Sequence, residues 1–241
     1  MRVAVGSFHC RPVGRVARVP KLSAVVYVDG FNLYKDQLES RPENKWLDLE
    51  CLFDSLLDEY SIDRIHYFTA HVRGRANPDD PTAPDRQAAY LRALETLPRV
   101  TIHRSQFTIH PSRARLRGTA TLAWADVWKV QEKGSDVKLA VQLVVDAVEG
   151  KYDAFVVVSS DSDLGAALDV AINRFDRHVI VVYPRDERTK EFERIGVRSS
   201  LYLRPLLVAQ SQLPEIVVSR SGRPVRRPTG WKKQGPAEAG P

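Results

Sequence analysis

Three short segments of this chain are apolar almost without a break: Ala24-Val25-Val26-Tyr27-Val28, Ala154-Phe155-Val156-Val157-Val158 and Val179-Ile180-Val181-Val182-Tyr183. Segments this uniform have no solvent face, so they read as strands buried on both sides of a parallel sheet. Helical patterns lie between them. Asp48 can cap a helix to Tyr60 in which Leu49, Leu52, Phe53, Leu56 and Leu57 keep helical spacing. Asp136 to Glu149 puts Val137, Ala140, Val141, Val144, Val145 and Val148 on one apolar face. Asp85–Leu97, Leu164–Phe175 and Thr189–Ile195 read as further helices. Arg64–Val72 and Thr101–Ile109 read as strands, Leu201–Leu203 as a last edge strand, and Thr119–Glu132, with Trp124 and Trp128, as an extended or hairpin insertion. Strands alternating with helices specify an α/β fold, a central, mostly parallel sheet with helices on both faces.

A length of 241 residues and a hydrophobic content of 43% suit one domain with tails. Residues 1–22 read as a basic flexible arm, 23–205 as the domain, and 206–241 as a basic tail containing Pro and Gly. The net charge of +6 and pI near 9.4 favour an anionic partner. Two cysteines, Cys10 and Cys51, are too few for a zinc site, and Cys51 reads as a core thiol among Leu49, Leu52 and Phe53. No run approaches the roughly 18 apolar residues of a membrane helix, and the N-terminus lacks the apolar stretch of a signal peptide. A cytoplasmic protein with no membrane partner is the expectation.

Four carboxylates follow the buried runs or sit close to them. Asp29 ends the first run, Asp161 and Asp163 follow the second in Val158-Ser159-Ser160-Asp161-Ser162-Asp163, and Asp136 closes Glu132-Lys133-Gly134-Ser135-Asp136 before a helix. Residues just past the ends of parallel strands share one rim, where open α/β sheets bind ligands. Carboxylates crowded there repel and take up protons unless a cation joins them, and oxygen ligands suit Mg²⁺ or Mn²⁺. Each acid also has a plainer role as a helix cap or a first-turn residue. Their joint occurrence points to a metal-dependent enzyme acting on phosphate esters. The chain lacks G-x-G-x-x-G, G-x-x-x-x-G-K-[ST] and G-x-S-x-G, and Phe31 stands where a haloacid-dehalogenase-like phosphatase needs a second Asp.

The strings Val28-Asp29-Gly30-Phe31-Asn32-Leu33, Glu132-Lys133-Gly134-Ser135-Asp136-Val137 and Val158-Ser159-Ser160-Asp161-Ser162-Asp163-Leu164 resemble, in this order, those of the NYN domain family. These are PIN-like proteins related to the bacterial LabA/DUF88 group. The resemblance covers about 23–205 and departs at Ser160 and Leu164, where many relatives have Gly and Phe. It implies a Rossmann-like PIN fold and a metal-dependent ribonuclease using Mg²⁺ or Mn²⁺. Carried over, Asp29, Asp136 and Asp161 bind metal, Asp163 completes the acidic catalytic cluster, and Asn32 and Ser159 hold the site in place.

Lys133 and Lys138 are candidates for phosphate contact. Arg104, Arg113, Arg115 and Arg117, with His103 and His110, form a basic stretch able to track an RNA backbone. A homodimer is possible. Two other functions stay open. One is a PIN-like module that holds RNA or protein without cleaving. The other is a small-molecule enzyme, such as a flavin- or NADH-dependent oxidoreductase, on the same fold.

Overall fold

The computed structural model describes residues 20–71, 80–116 and 124–231. Seven strands form one sheet in the order β4-β3-β2-β1-β5-β6-β7. They are β1 (Leu22–Asp29), β2 (Tyr60–His71), β3 (Val100–Arg115), β4 (Trp124–Lys133), β5 (Ala154–Val158), β6 (Val179–Tyr183) and β7 (Ser199–Tyr202). Every pairing is parallel except β3 with β4. At the centre β1 lies beside β5, with Ala24 to Val28 against Ala154 to Val158, all without exposed surface.

Helices cover both faces. On one side are α2 (Leu49–Leu56), α3 (Ala83–Leu94) and α7 (Pro205–Gln210), contributing Leu49, Phe53, Leu91, Leu94 and Val208 to a core with Val26, Val28 and Trp46. On the other are α4 (Ser135–Glu149), α5 (Gly165–Asp169) and α6 (Lys190–Ile195), placing Leu139, Leu143, Leu168 and Phe192 against Tyr27, Phe155 and Val181. Asp48 caps α2 as expected, accepting the Cys51 N–H at 3.0 Å. A short α1 (Gly30–Leu33) starts directly at the end of β1.

Three expectations need correction. Cys51 is exposed, because α2 turns Leu49, Leu52 and Phe53 inward and leaves position 51 outside. The sheet side of α4 is Leu139, Leu143, Asp146 and Ala147, while Val137, Val141, Val145 and Val148 face outward. The segment read as a tail from 206 folds back as far as Trp231. After α7 comes a hairpin of β8 (Ile216–Val218) and β9 (Pro224–Arg226), and Trp231 packs on Trp46 and Tyr90 at ring separations of 6.4 and 6.2 Å. Residues 1–19, 72–79, 117–123, with Arg117 among them, and 232–241 lie outside the described residues.

Candidate functional site

The chain brings Asp29, Asp136 and Asp161 together at the carboxyl rim. One carboxylate oxygen of each lies within 4.8 Å of the others. Asp29 is the last residue of β1 and is nearly buried. It caps α1, its Oδ1 accepting the Asn32 N–H at 2.9 Å. A side chain at position 30 would meet the Phe68 carbonyl at 2.5 Å and the Tyr67 ring at 2.8 Å, so only glycine lets the chain turn here. Asp161 follows β5 by three residues, and its Oδ1 accepts the Asp163 N–H at 3.0 Å. Asp136 stands in the first turn of α4, which a left-handed Gly134 (φ 86°) turns in from β4.

Ser159 and Asn32 tie the loops together. The wholly buried Ser159 Oγ donates to Asp29 Oδ2 at 3.0 Å and accepts the Asp161 N–H at 3.0 Å. Asn32 Oδ1 accepts the Ser160 N–H at 3.0 Å, and Thr189 Oγ1 donates to the Ser160 carbonyl at 2.8 Å. Asp29 and Asp161 are thus held by hydrogen bonds from neutral donors. Partial burial, then the charges of Asp161 and Asp163, hold the Asp136 carboxyl above its ordinary pKa. Three carboxylate oxygens converging within 4.8 Å fit a hard divalent cation. Asp163 is exposed and stands outside the close trio, acting on Asp136 through its charge.

The expected phosphate contacts are scattered. Lys138 donates to the Arg104 carbonyl, and Arg104 pairs with Glu95. Arg113 and Arg115 lie far along β3, with Arg113 3.6 Å from Asp126 on β4. Lys133 ends β4 with its surface exposed, close in sequence to Asp136.

A second polar cluster, not read as a unit from the sequence, lies between α4 and the sheet. The Tyr27 hydroxyl donates to Asp146 Oδ2 at 2.7 Å, and Gln142 Nε2 donates to Asp146 Oδ1 at 3.0 Å. His66 Nδ1 is 2.8 Å from His103 Nε2, and its Nε2 is 3.8 Å from Asp146. The visible signal was an acid at position 146 inside an apolar helical repeat.

The NYN domain model matches residues 23–196. Over 239 residues the chain is 27% identical to the 6-hydroxy-3-succinoylpyridine 3-monooxygenase HspA of Pseudomonas putida (strain DSM 28022 / S16), an alignment spanning 87% of this chain and 75% of that protein. A crystal structure of a protein of unknown function, VPA0982 from Vibrio parahaemolyticus RIMD 2210633, aligns with a TM-score of 0.46 at 14% identity, covering 78% of this chain and 97% of that one.

Proposed function

The chain belongs to the NYN domain family, and from that membership and its acidic rim we propose that it is a ribonuclease that hydrolyses RNA phosphodiesters with Mg²⁺ or Mn²⁺. The observation that carries the reading is the convergence of Asp29, Asp136 and Asp161 oxygens within 4.8 Å at the carboxyl rim. These three residues would hold the ion. When bound, it supplies Lewis acidity toward a phosphoryl oxygen and a water of lowered pKa. The chain's own contribution is positional. Ser159 and Asn32 set Asp29 and Asp161, the first turn of α4 sets Asp136, and the exposed Asp163 adds negative charge at the mouth. Lys133, three residues before Asp136 at the end of β4, would meet a backbone phosphate.

A second reading has one observation behind it, the printed name of the Pseudomonas putida relative, a monooxygenase. On that reading the same rim serves oxidation of a small substrate. The discriminating experiment is Mn²⁺- and Mg²⁺-dependent cleavage of a mixed single-stranded and structured RNA pool, run beside dioxygen uptake with NADH and a 6-hydroxypyridine compound. Cleavage lost in both Asp29→Asn and Asp161→Asn supports the ribonuclease. Absence of cleavage together with substrate-dependent dioxygen uptake overturns it in favour of the oxidoreductase.

A further inference from the structure

We propose that Phe31 and Tyr34, with Lys35 and Lys45, form a subsite at the acidic rim that stacks the bases of single-stranded RNA and so leads a strand to the carboxylates. The inference rests on the ribonuclease reading and names how that site would choose its substrate.

The helix after β1 carries the subsite. α1 (Gly30–Leu33) continues without a break into a wider π-helical turn, Tyr34–Leu38. One side of it is fastened to the rim. Asn32 Oδ1 accepts the Ser160 N–H after β5, and Gln37 Nε2 donates to the carbonyls of Pro184 and Leu203, just past β6 and β7. Leu33, Gln37 and Leu38 are buried. Phe31, Tyr34 and Lys35 are left exposed, and spacings of three and four residues from Phe31 make them neighbours on the helix surface. At 1.5 Å per residue all three lie within about 9 Å of Asp29 along the axis.

Two rings are thus presented to water at the edge of the carboxylates. Phe31 is 47% exposed and Tyr34 36%. Each has its own lysine. Lys35 Nζ lies 5.9 Å from the centre of the Phe31 ring, and Lys45 Nζ lies 5.0 Å from that of Tyr34, donating to its hydroxyl at 3.4 Å. Lys45 is set there by the Pro42–Asn44 turn before it and the buried Trp46 after it. Lys35 also pairs with Glu39 at 2.6 Å, an exposed contact of little strength that a phosphate can replace. Asp36, on the same helix, faces Arg185 at 3.8 Å.

The occupant follows from the repeat and the size. Single-stranded nucleic acid binds where aromatic faces take successive bases and cations track the phosphates. A ring with a lysine, twice over, matches two successive nucleotides, whereas one small heteroaromatic acid would use a single such pair. Two rings exposed to this extent offer roughly 150–200 Å², far short of the about 800 Å² that a stable protein partner covers. A duplex keeps its bases stacked on one another and offers the rings no free face.

The test is fluorescence anisotropy of the full chain with a short labelled single-stranded RNA, the same strand in duplex and an abasic strand of equal length, with no divalent ion added. The proteins are wild type, Phe31→Ala, Tyr34→Ala and the ring-keeping Phe31→Trp. Circular dichroism checks the fold, and Mn²⁺ titration and RNA cleavage check the acidic site. Each alanine is expected to raise Kd for the single strand about tenfold, with Phe31→Trp close to wild type and Mn²⁺ affinity and abasic-strand binding unchanged. Wild type that cleaves RNA while both alanine variants bind the single strand as tightly as it does overturns the subsite and leaves the ribonuclease standing. Loss of the abasic strand by the same factor as the single strand overturns stacking. Ring-dependent binding without cleavage keeps the stacking surface and overturns the ribonuclease. Wild type that neither binds nor cleaves RNA overturns both, and binding of a 6-hydroxypyridine compound that Phe31→Ala weakens then assigns the rings to a small heteroaromatic substrate.

Discussion

Ser159 donates its hydroxyl to Asp29 Oδ2 at 3.0 Å from a position with no exposed surface. Ser159 Oγ also accepts the Asp161 N–H, so one side chain couples the loop after β1 to the loop after β5. A carboxylate that ligates a metal needs its orientation held by a neighbour, and changing such a neighbour typically costs 10–100-fold in metal affinity. Ser159→Ala is therefore expected to weaken Mn²⁺ binding by about that factor and to lower stability by roughly 1–3 kcal/mol through the stranded Asp161 N–H. Calorimetric titration with Mn²⁺ and urea unfolding read the two effects. Unchanged affinity would show that the hydroxyl only packs the loop.

Tyr27 anchors α4 to β1 through its 2.7 Å hydrogen bond to Asp146. Tyr27→Phe keeps the ring and removes one donor from a carboxylate that is only 7% exposed. The expected loss is about 1–3 kcal/mol in urea unfolding. Since α4 also carries Asp136, metal affinity should fall with it; a variant as stable as wild type would contradict the anchoring role.

His66 gives a pH dependence whose sign follows from its surroundings. Burial, then the nearby His103 and to a smaller extent Arg64, lower its pKa to about 4 against the partial opposition of Asp146. Between about 4 and the ordinary 6.5 the unfolded chain binds the proton and the folded chain does not. Stability is then fully present above pH 6.5 and falls as pH drops through this window, by up to about 3 kcal/mol from this group. Comparing the thermal midpoint of wild type and His66→Phe from pH 7 to 4 checks this. The difference between the two should shrink or change sign on acidification, and parallel curves would contradict it.

Trp231 closes the C-terminal segment onto the domain. It packs on Trp46 and Tyr90, and the Trp46 Nε1–H donates to the Pro214 carbonyl at 2.8 Å. Trp231→Ala is expected to cost about 3–5 kcal/mol by chemical denaturation. A loss under 1 kcal/mol would place this segment outside the core.

The centre of the fold and the rim were legible because their signals are local. A strand buried on both faces has to be apolar throughout, as Ala154 to Val158 is, and the rim then follows from the chain direction. What sequence concealed depended on partners distant along the chain. The six apolar residues chosen as the face of α4 omit Leu139 and Leu143, because a valine repeat is as strong a pattern as the buried one and nothing local shows which side meets Tyr27 and Phe155. Lys138 and Arg104 looked available for phosphate until the fold supplied a backbone carbonyl and Glu95. The segment 205–231 looked like a tail because its strands are three residues long and its anchor, Trp231, needs Trp46 from the other end of the chain.

The claim on which the functional account rests is that Asp29, Asp136 and Asp161 form one divalent-cation site. Titration of the full chain with Mn²⁺, followed by calorimetry and electron paramagnetic resonance, tests it most directly. The account predicts saturable binding to wild type, lost or weakened at least about tenfold in Asp29→Asn, Asp136→Asn and Asp161→Asn alike, because each removes one charged ligand from the same ion. Binding that survives all three substitutions, or no binding to the folded wild type at neutral pH, would contradict it.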